Sequence, residues 1–183
     1  MSLDSPYQPA DTDGELLPVV DLDDREVGTA TRAEIHARDL IHRAVHVVLH
    51  DGAGRVLVAR RGARKDRFPG WWDVAVGGHV GCGEAYAEAA VREMREEMAI
   101  EGAEPRLVAV LPPGEDNGWE HIHVFQAKID PAQPRPNPDE IDAARWVTRA
   151  EFLERFEPAS EEPSARMTPA SHESFLRFFR GGG

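Results

Sequence analysis

Apolar residues alternate with polar ones along much of the chain, which is the pattern of half-buried strands. Strands are predicted in this way at residues 16–22, 26–28, 44–49, 55–59, 71–76, 107–111, 120–129 and 141–147. Capping residues and helical spacing predict helices at about residues 32–37, 149–156 and 172–179, which follow Thr31, Thr148 and Ser171. A further helix in the middle of the chain ends near residue 100. Strands on both sides of this helix, with helices at the end, favour the α/β class, with a mixed sheet between layers of helices.

Turn and breaker residues separate these elements. Residues 51–54 predict a hairpin between two strands, while the breaker at 112–114 and the proline-rich run 131–138 interrupt the second half of the chain. The chain has 183 residues and no internal repeat. We therefore expect one domain over residues 15–180, preceded by a polar, flexible N-terminal segment at residues 1–14.

The central helix carries a cluster of carboxylates. Glu93, Glu96 and Glu97 stand at i, i+3 and i+4, so they share one face of a helix, within about 100° of arc. A neighbouring face is apolar and is expected to pack into a core; its residues are Ala87, Ala90, Val91, Met94 and Met98. We expect the three carboxylates to point outward together, where a divalent cation such as Mg²⁺ or Mn²⁺ would remove their repulsion.

A glycine-rich loop leads into this helix, with Gly77, Gly78, Gly81 and Gly83 close together. Glycine lets the backbone approach a ligand closely, and a helix N-terminus favours anions. The loop and the carboxylates together indicate a site for a metal-bound phosphate compound. The alternative interpretation is a solvated acidic helix face.

A local group of cations stands within an acidic chain. The chain has 33 acidic and 21 basic residues and a formal net charge of −12, which disfavours nucleic-acid polymers as partners because they need a basic face. Five cations nevertheless lie within eight residues, at Arg60, Arg61, Arg64, Lys65 and Arg67. This cluster favours phosphate binding, with a solvated loop as the alternative. Three histidines on strands, His46, His121 and His123, are interpreted as ordinary polar strand positions, with a place in the wall of the cleft for one or two of them as the alternative.

Cysteine usage and hydropathy bear on the compartment. Cys82 is the single cysteine, which excludes an internal disulfide and is typical of a reducing compartment. No apolar run approaches membrane-spanning length, and no signal peptide is visible. We therefore expect a cytoplasmic protein without a membrane partner, present as a monomer or a homodimer.

The stretch that begins at Gly78 resembles the Nudix box, which runs Gly, five residues, Glu, seven residues, then Arg-Glu-apolar-any-Glu-Glu-any-Gly-apolar. The matching residues are Gly78, Glu84, Arg92, Glu93, Met94, Glu96, Glu97 and Ile100. Ala99 departs from the pattern, because the family has a glycine there that ends the helix. A left-handed conformation is common at that position, where alanine would cost about 1 kcal/mol. The resemblance implies the Nudix fold, a mixed β-sheet in an α/β/α sandwich.

A second layer of resemblance, over about residues 15–155, is similar to the Nudix branch of isopentenyl-diphosphate isomerase and its relatives named as hydrolases. Residues 41–44 and 57–79 carry it. The isomerase takes its metal ligands from histidines, a box glutamate and a strand glutamate, which match His42, His79, Glu97 and Glu120, and His36 if one residue of gap is allowed. Arg61 and Lys65 match its diphosphate-binding cations. Its catalytic cysteine is absent, because Gly77 stands in that place.

The resemblance implies a hydrolase that uses Mg²⁺ or Mn²⁺ to cleave a diphosphate linkage, X–O–P–O–P, in a small nucleoside, sugar, coenzyme or prenyl diphosphate. The metal ligands would come from Glu93, Glu96, Glu97, the Gly78 carbonyl, His42, His79 and Glu120. Glu93 is also the candidate base, and Arg92 would orient the carboxylates through salt bridges. Arg61 and Lys65 would clamp the diphosphate. A prenyl-diphosphate isomerase and a non-catalytic diphosphate-binding regulator are the alternatives, and the residues do not identify X.

Overall fold

The computed structural model describes residues 14–65 and 67–181, so the expected flexible segment, residues 1–14, lies outside the described residues except for its last position. The strands are β1 (Leu16–Val20), β2 (Glu26–Thr31), β3 (His42–His50), β4 (Arg55–Arg61), β5 (Trp72–Val74), β6 (Val76–His79), β7 (Arg106–Leu111), β8 (Glu120–Lys128) and β9 (Ile141–Thr148). The helices are α1 (Arg32–Arg38), α2 (Tyr86–Met98), α3 (Arg149–Arg155) and α4 (Pro169–Arg180). In the part of the chain that the structure describes, no helix is both long and apolar enough to cross a membrane.

The described strands form one mixed sheet with β3 at its centre. β8 pairs with β3 in parallel along the whole of β3, beginning with His42 opposite Glu120. β6 and β1 pair with β3 antiparallel, and β7 extends the sheet beyond β8. β4 carries β5 and β9 and joins β3 at a single pair, His50 with Val56. The predicted hairpin at residues 51–54 therefore forms, but most of each strand pairs elsewhere.

Alternation along β3 divides the core into two layers, because successive side chains of a strand point to opposite faces. Val45, Val47 and Leu49 pack with residues of α2 on one face. Ala44 and Val48 pack on the other face with aromatic residues of α3 and α4. The strand is buried on both sides and reads as a nearly continuous apolar run. The arrangement confirms the predicted mixed sheet in an α/β/α sandwich.

Helix α2 buries a different face from the one predicted. Its buried residues are Ala89, Ala90, Glu93, Met94, Glu97 and Met98. Ala87 and Val91 are exposed, so the expected apolar stripe was wrong at both positions. The outward orientation expected for the carboxylates was also wrong for Glu93 and Glu97, because α2 turns them toward the backbone of β6.

Two other boundaries differ from the prediction. The expected strand at residues 71–76 divides into β5, which pairs with β4, and β6, which pairs with β3. Helix α4 begins at Pro169 after Thr168, because proline fits the first helical position, where no backbone N–H is needed. Ser171 is not the cap of this helix but a buried residue inside it. The predicted caps Thr31 and Thr148 are confirmed, and both form capping boxes.

Candidate metal and diphosphate site

The strand register brings three predicted site residues together at one end of the sheet. His42 begins β3 and stands opposite Glu120, which begins β8, while His79 ends β6 opposite Ala44. Glu120 Oε1 lies 3.6 Å from His42 Nε2 and 4.0 Å from His79 Nε2. His36, in the last turn of α1, completes the group, with its ring centre 5.8 Å from that of His42 and 5.6 Å from that of His79. We call these four residues the histidine cluster.

The imidazoles of the histidine cluster are arranged as ligands. One ring nitrogen from each of His36, His42 and His79 lies within 4.8 Å of the others. His42 Nδ1 donates a 2.9 Å hydrogen bond to the Leu40 carbonyl, which leaves the lone pair of Nε2 on the cluster side. Nε2 of His36 and Nε2 of His42 are buried without a hydrogen-bond partner among the described residues. Buried nitrogens of this kind normally have partners, so the cluster has the form of a metal site.

Glu120 supplies negative charge to this cluster. Burial alone would raise the pKa of its carboxyl, but the neighbouring imidazoles of His42 and His79 outweigh burial and lower the pKa to about 2. Glu120 is therefore a carboxylate at neutral pH, within reach of a cation held by the three imidazoles. Its neighbour on the strand, His121, faces away and contacts the Asp21 carbonyl at 3.0 Å.

A cavity of about 120 Å³ opens beside the histidine cluster. Its cationic lining residues are Arg32, Arg61, Lys65 and Arg67. Arg61 donates a 2.6 Å hydrogen bond to Asp73 Oδ2, and Lys65 Nζ donates one of 2.6 Å to Glu140 Oε2. These two carboxylates fix the predicted diphosphate-binding cations in place and keep them charged.

The carboxylates of α2 form a second group around Arg92. Arg92 Nη1 donates to Glu93 at 2.7 Å and to Glu96 at 3.1 Å, while its other nitrogens bind Glu84 and the His79 carbonyl. These hydrogen bonds, that with Glu84 first, raise the pKa of Arg92. Arg92 therefore orients the carboxylates, as predicted, although Glu84 takes a larger part than the sequence suggested.

Glu97 is buried in this second group, as Glu93 is. Its Oε2 accepts a 2.9 Å hydrogen bond from the Gly77 backbone N–H. Burial raises the pKa of Glu97 well above its usual range and Glu93 raises it further, while the positive charge of Lys65 opposes both. Lys65, Glu97 and Glu140 line a small pocket next to the main cavity.

The seven predicted metal ligands thus divide between two groups and do not form one cluster. Ala44 packs in the core layer of α4 and stands opposite His79, so the histidine cluster lies on that face of the sheet. The carboxylates lie on the α2 face, and Gly77 and Gly78 of β6 run between the two groups. Spacing along α2 could not show this division, because it depends on which strand β6 pairs with.

The sequence model of the NUDIX domain matches residues 40–168. The chain belongs to the Nudix family. An uncharacterized Nudix hydrolase of Pseudomonas aeruginosa is 39% identical over 138 residues, which are 75% of this chain and 81% of that protein. Isopentenyl-diphosphate Delta-isomerase 2 of Photorhabdus laumondii is 32% identical over 137 residues, which cover 73% of this chain and 77% of that protein. The crystal structure of DR0079 from Deinococcus radiodurans superposes with a TM-score of 0.76 at 30% identity, over 90% of this chain and 99% of that one.

Two positions of the Nudix box have clear structural reasons. A Cβ at Gly78 would overlap the Glu93 carboxylate and displace it from its hydrogen bond with Arg92, so the glycine allows the close approach of α2 to β6. Ala99, in place of the glycine of the box, adopts φ 51° and ψ 36°, which is the left-handed conformation predicted for the helix end. The departure at residue 99 therefore changes the strain of the helix end and not the position of the carboxylates.

Several residues of the cavity and of the small pocket next to it were not identified from the sequence. Asp73 and Glu140 were not singled out, although they bind Arg61 and Lys65, because a single acidic residue beside an apolar strand carries no spacing signal. His46, interpreted as an ordinary strand residue, lines the cavity. Cys82 is exposed, with Sγ 3.5 Å from the Leu16 carbonyl, and does not line this cavity.

Proposed function

We propose that this Nudix protein is a divalent-metal-dependent hydrolase that cleaves the diphosphate linkage of a small X–O–P–O–P compound. The observation that carries the proposal is the position of Gly77 and Gly78. Their backbone contacts the box carboxylates on one side, and both residues line the cavity that holds Arg61 and Lys65 on the other. A diphosphate held by these cations would lie against the same backbone that the carboxylates contact.

The donor sets of the two groups fit two kinds of metal. The histidine cluster offers three imidazoles and the Glu120 carboxylate, a set that suits a transition metal such as Mn²⁺ better than Mg²⁺. The second group offers only oxygen, from Glu93, Glu96, Glu97 and the Gly78 carbonyl, which suits Mg²⁺ or Mn²⁺. A bound divalent cation supplies charge neutralisation of phosphate oxygens and a lower pKa for a bound water.

The residues of this chain would bind the diphosphate, orient the base and deprotonate the attacking water. Arg61 and Lys65 would hold the diphosphate oxygens, and their fixed partners mean that little reorganisation is needed. Glu93 is the proposed base or a further ligand, and Arg92 holds it in position. Water would attack one phosphorus as its proton passes to the base, and the bridging P–O bond would break to give X-phosphate and phosphate, or a larger pair.

A prenyl-diphosphate isomerase is the second candidate, and the histidine cluster with Glu120 favours it because the isomerase uses the same ligand types. The absence of the acid that the catalytic cysteine of the isomerase supplies opposes this candidate. Gly77 has no side chain, and Cys82 contacts Leu16 outside the cavity. A non-catalytic diphosphate-binding regulator is also disfavoured, because binding without catalysis does not require the complete set of box carboxylates.

A parallel screen separates these proposals. Nucleoside, sugar, coenzyme and prenyl diphosphates are incubated with the protein and Mg²⁺ or Mn²⁺, and phosphate release and allylic isomerisation are both measured. Metal-dependent phosphate release supports the hydrolase, isomerisation alone supports the isomerase, and binding without either supports the regulator. We further propose a small diphosphate as the only partner class, with no nucleic-acid polymer and no membrane, and a cytoplasmic monomer or homodimer.

A further inference from the structure

The inner end of the cavity is lined by His46 of β3, Asp73 of β5 and Thr168, which caps α4. His46 stands opposite Gly77 in the sheet register. A Cβ added at Gly77 would lie 3.2 Å from His46 Cδ2, so the absence of a side chain at Gly77 leaves the Cδ2–Nε2 edge of the imidazole uncovered. The edge of the ring that bears Nε2 therefore faces the cavity.

The tautomer of His46 follows from its partner on α4. Ser174 Oγ donates its one proton to the Ala170 carbonyl at 2.9 Å. His46 Nδ1 lies 2.8 Å from Ser174 Oγ, and with the serine proton assigned to Ala170 we assign the proton of this second hydrogen bond to Nδ1. Burial lowers the pKa of His46, which keeps the ring neutral. Nε2 is then a hydrogen-bond acceptor, and no described residue donates to it.

One neighbour of His46 at the inner end is an acceptor too. Thr168 Oγ1 donates its proton to Asp73 Oδ1 at 3.2 Å, which leaves the lone pairs of its own oxygen available. The Asp73 carboxylate is already occupied, because it also accepts hydrogen bonds from Arg61, the Val74 N–H and the Ser171 hydroxyl. We call His46 Nε2 and Thr168 Oγ1 the acceptor group.

We propose that the acceptor group is a subsite for a hydroxylated X group, such as a sugar or a polyol, with His46 Nε2 as the selecting residue. This inference rests on the proposed function, because it names the substrate class of the same cavity. Ionised phosphate oxygens only accept hydrogen bonds, so they suit the cationic end and not the acceptor group. A prenyl group offers no donor and would leave buried acceptors unpaired, at a loss of roughly fivefold to a hundredfold in affinity for each one.

Equilibrium binding tests the subsite independently of turnover. Dissociation constants are measured calorimetrically for ADP-ribose, UDP-glucose, CDP-glycerol, dimethylallyl diphosphate and inorganic pyrophosphate, with the wild type and with His46→Phe, His46→Gln and His50→Phe. His50→Phe is the matched control, because His50 lies on the same strand, packs against Phe178 and does not line the cavity. We expect at least one hydroxylated compound to bind roughly a hundredfold tighter than dimethylallyl diphosphate to the wild type.

His46→Phe should weaken binding of that hydroxylated compound at least about tenfold while pyrophosphate affinity changes less than about twofold. His46→Gln, which can place an amide oxygen near the position of Nε2, should recover part of the loss, and His50→Phe should change nothing. Equal affinity for prenyl and hydroxylated compounds, or a preference that survives His46→Phe in a folded protein, overturns the inference. A binding preference for the hydroxylated compounds without hydrolysis rejects the proposed hydrolase and keeps the subsite. Hydrolysis restricted to prenyl diphosphates supports the hydrolase and rejects the subsite.

Discussion

The Glu97 carboxylate accepts a hydrogen bond of 2.9 Å from the Gly77 backbone N–H, although the two residues are twenty positions apart. This contact ties the C-terminal half of α2 to the strand that lines the cavity. It also holds an acidic side chain in a buried position, where burial and the charges of Glu93 and Glu140 raise its pKa, while the charge of Lys65 and the hydrogen bond from Gly77 lower it. A divalent cation would resolve this conflict, because it stabilises both carboxylates in their ionised form.

Replacement of Glu97 by glutamine tests its proposed role as a metal ligand. An amide oxygen can still accept the hydrogen bond from Gly77, so Glu97→Gln should fold normally. Turnover of the compound found in the screen should fall more than about a hundredfold, because a charged ligand is lost. Steady-state kinetics and thermal unfolding of the same preparation give the two measurements.

Glu101→Gln is the matched control, since Glu101 is exposed just beyond the same helix, and it should leave turnover unchanged. Near wild-type turnover by Glu97→Gln would remove Glu97 from the metal site.

Removal of an imidazole from the histidine cluster should weaken transition-metal binding. His42→Ala is expected to lower the affinity for Mn²⁺ at least about tenfold, because His42 Nε2 faces the other ring nitrogens without a hydrogen-bond partner. Metal titration followed by calorimetry checks this outcome. His123→Ala is the control, because His123 stacks on Tyr86 and is not part of the cluster. Equal Mn²⁺ affinity in the two variants would show that the cluster is structural.

The sequence predicted those features that depend on local spacing. The layers of helices and sheet and the helix caps at Thr31 and Thr148 follow from patterns along the chain, whereas the left-handed end of α2 was expected from the resemblance, because the Nudix box has a glycine at the position of Ala99. The match of His42 and His79 to metal ligands came from the resemblance. The structure shows why the two meet, because His42 begins β3 and His79 ends β6, which pairs with β3.

What the sequence did not predict depends on long-range pairing. Asp73 binds Arg61, and Glu140 binds Lys65 from 75 positions away along the chain. His46 and Ser174 are separated by 128 positions and meet only because α4 packs on the face of β3 that carries even-numbered residues. Pairs of this kind have no spacing rule, so only the packed structure identifies them.

Asp73 should make the stability of the protein depend on pH in the acid range. Burial opposes its ionisation, but the charge of Arg61 and the hydrogen bond from Ser171 lower its folded-state pKa below the unfolded value of about 3.9. Its stabilising contribution is therefore complete above that value and is lost as the pH falls through the folded-state pKa. Asp73→Asn should unfold at a lower temperature than the wild type at pH 7, and the difference should narrow by about pH 3.

Thermal unfolding followed by circular dichroism across this range measures the difference. Asp142→Asn, at an exposed position of β9, serves as the control and should show a small, constant difference. A gap between Asp73→Asn and wild type that stays constant from pH 7 to pH 3 would contradict the assigned ion pair.

Ala99 carries strain that glycine would relieve. Its φ of 51° and ψ of 36° are unfavourable for a residue with a Cβ. Ala99→Gly should stabilise the protein by up to about 1 kcal/mol, as measured by the denaturant midpoint. Ala87→Gly tests the opposite case, because Ala87 is exposed inside the same helix, and it should destabilise the protein by about 1 kcal/mol. A lower midpoint for Ala99→Gly would contradict the left-handed helix end.

The last prediction concerns isomerisation of prenyl diphosphates. Protonation of an alkene carbon needs an acid on one face of the substrate and a base on the other. Glu120 can serve as one group, but Gly77 has no side chain and Cys82 lies outside the cavity. We therefore expect the wild type to show no interconversion of isopentenyl and dimethylallyl diphosphate. Deuterium uptake from D₂O into either compound, measured by mass spectrometry with and without metal, provides the test.

Gly77→Cys supplies the missing thiol and is the matched gain-of-function variant. Its Cβ would lie 3.2 Å from His46 Cδ2 and 3.4 Å from the Val45 carbonyl, so the site can accept it with a shift of a few tenths of an ångström. If the missing thiol is what separates this chain from the isomerase, Gly77→Cys should show metal-dependent deuterium uptake above the wild-type background. Metal-dependent uptake by the wild type itself would mean that another acid already replaces the thiol, and the isomerase would then become the better proposal.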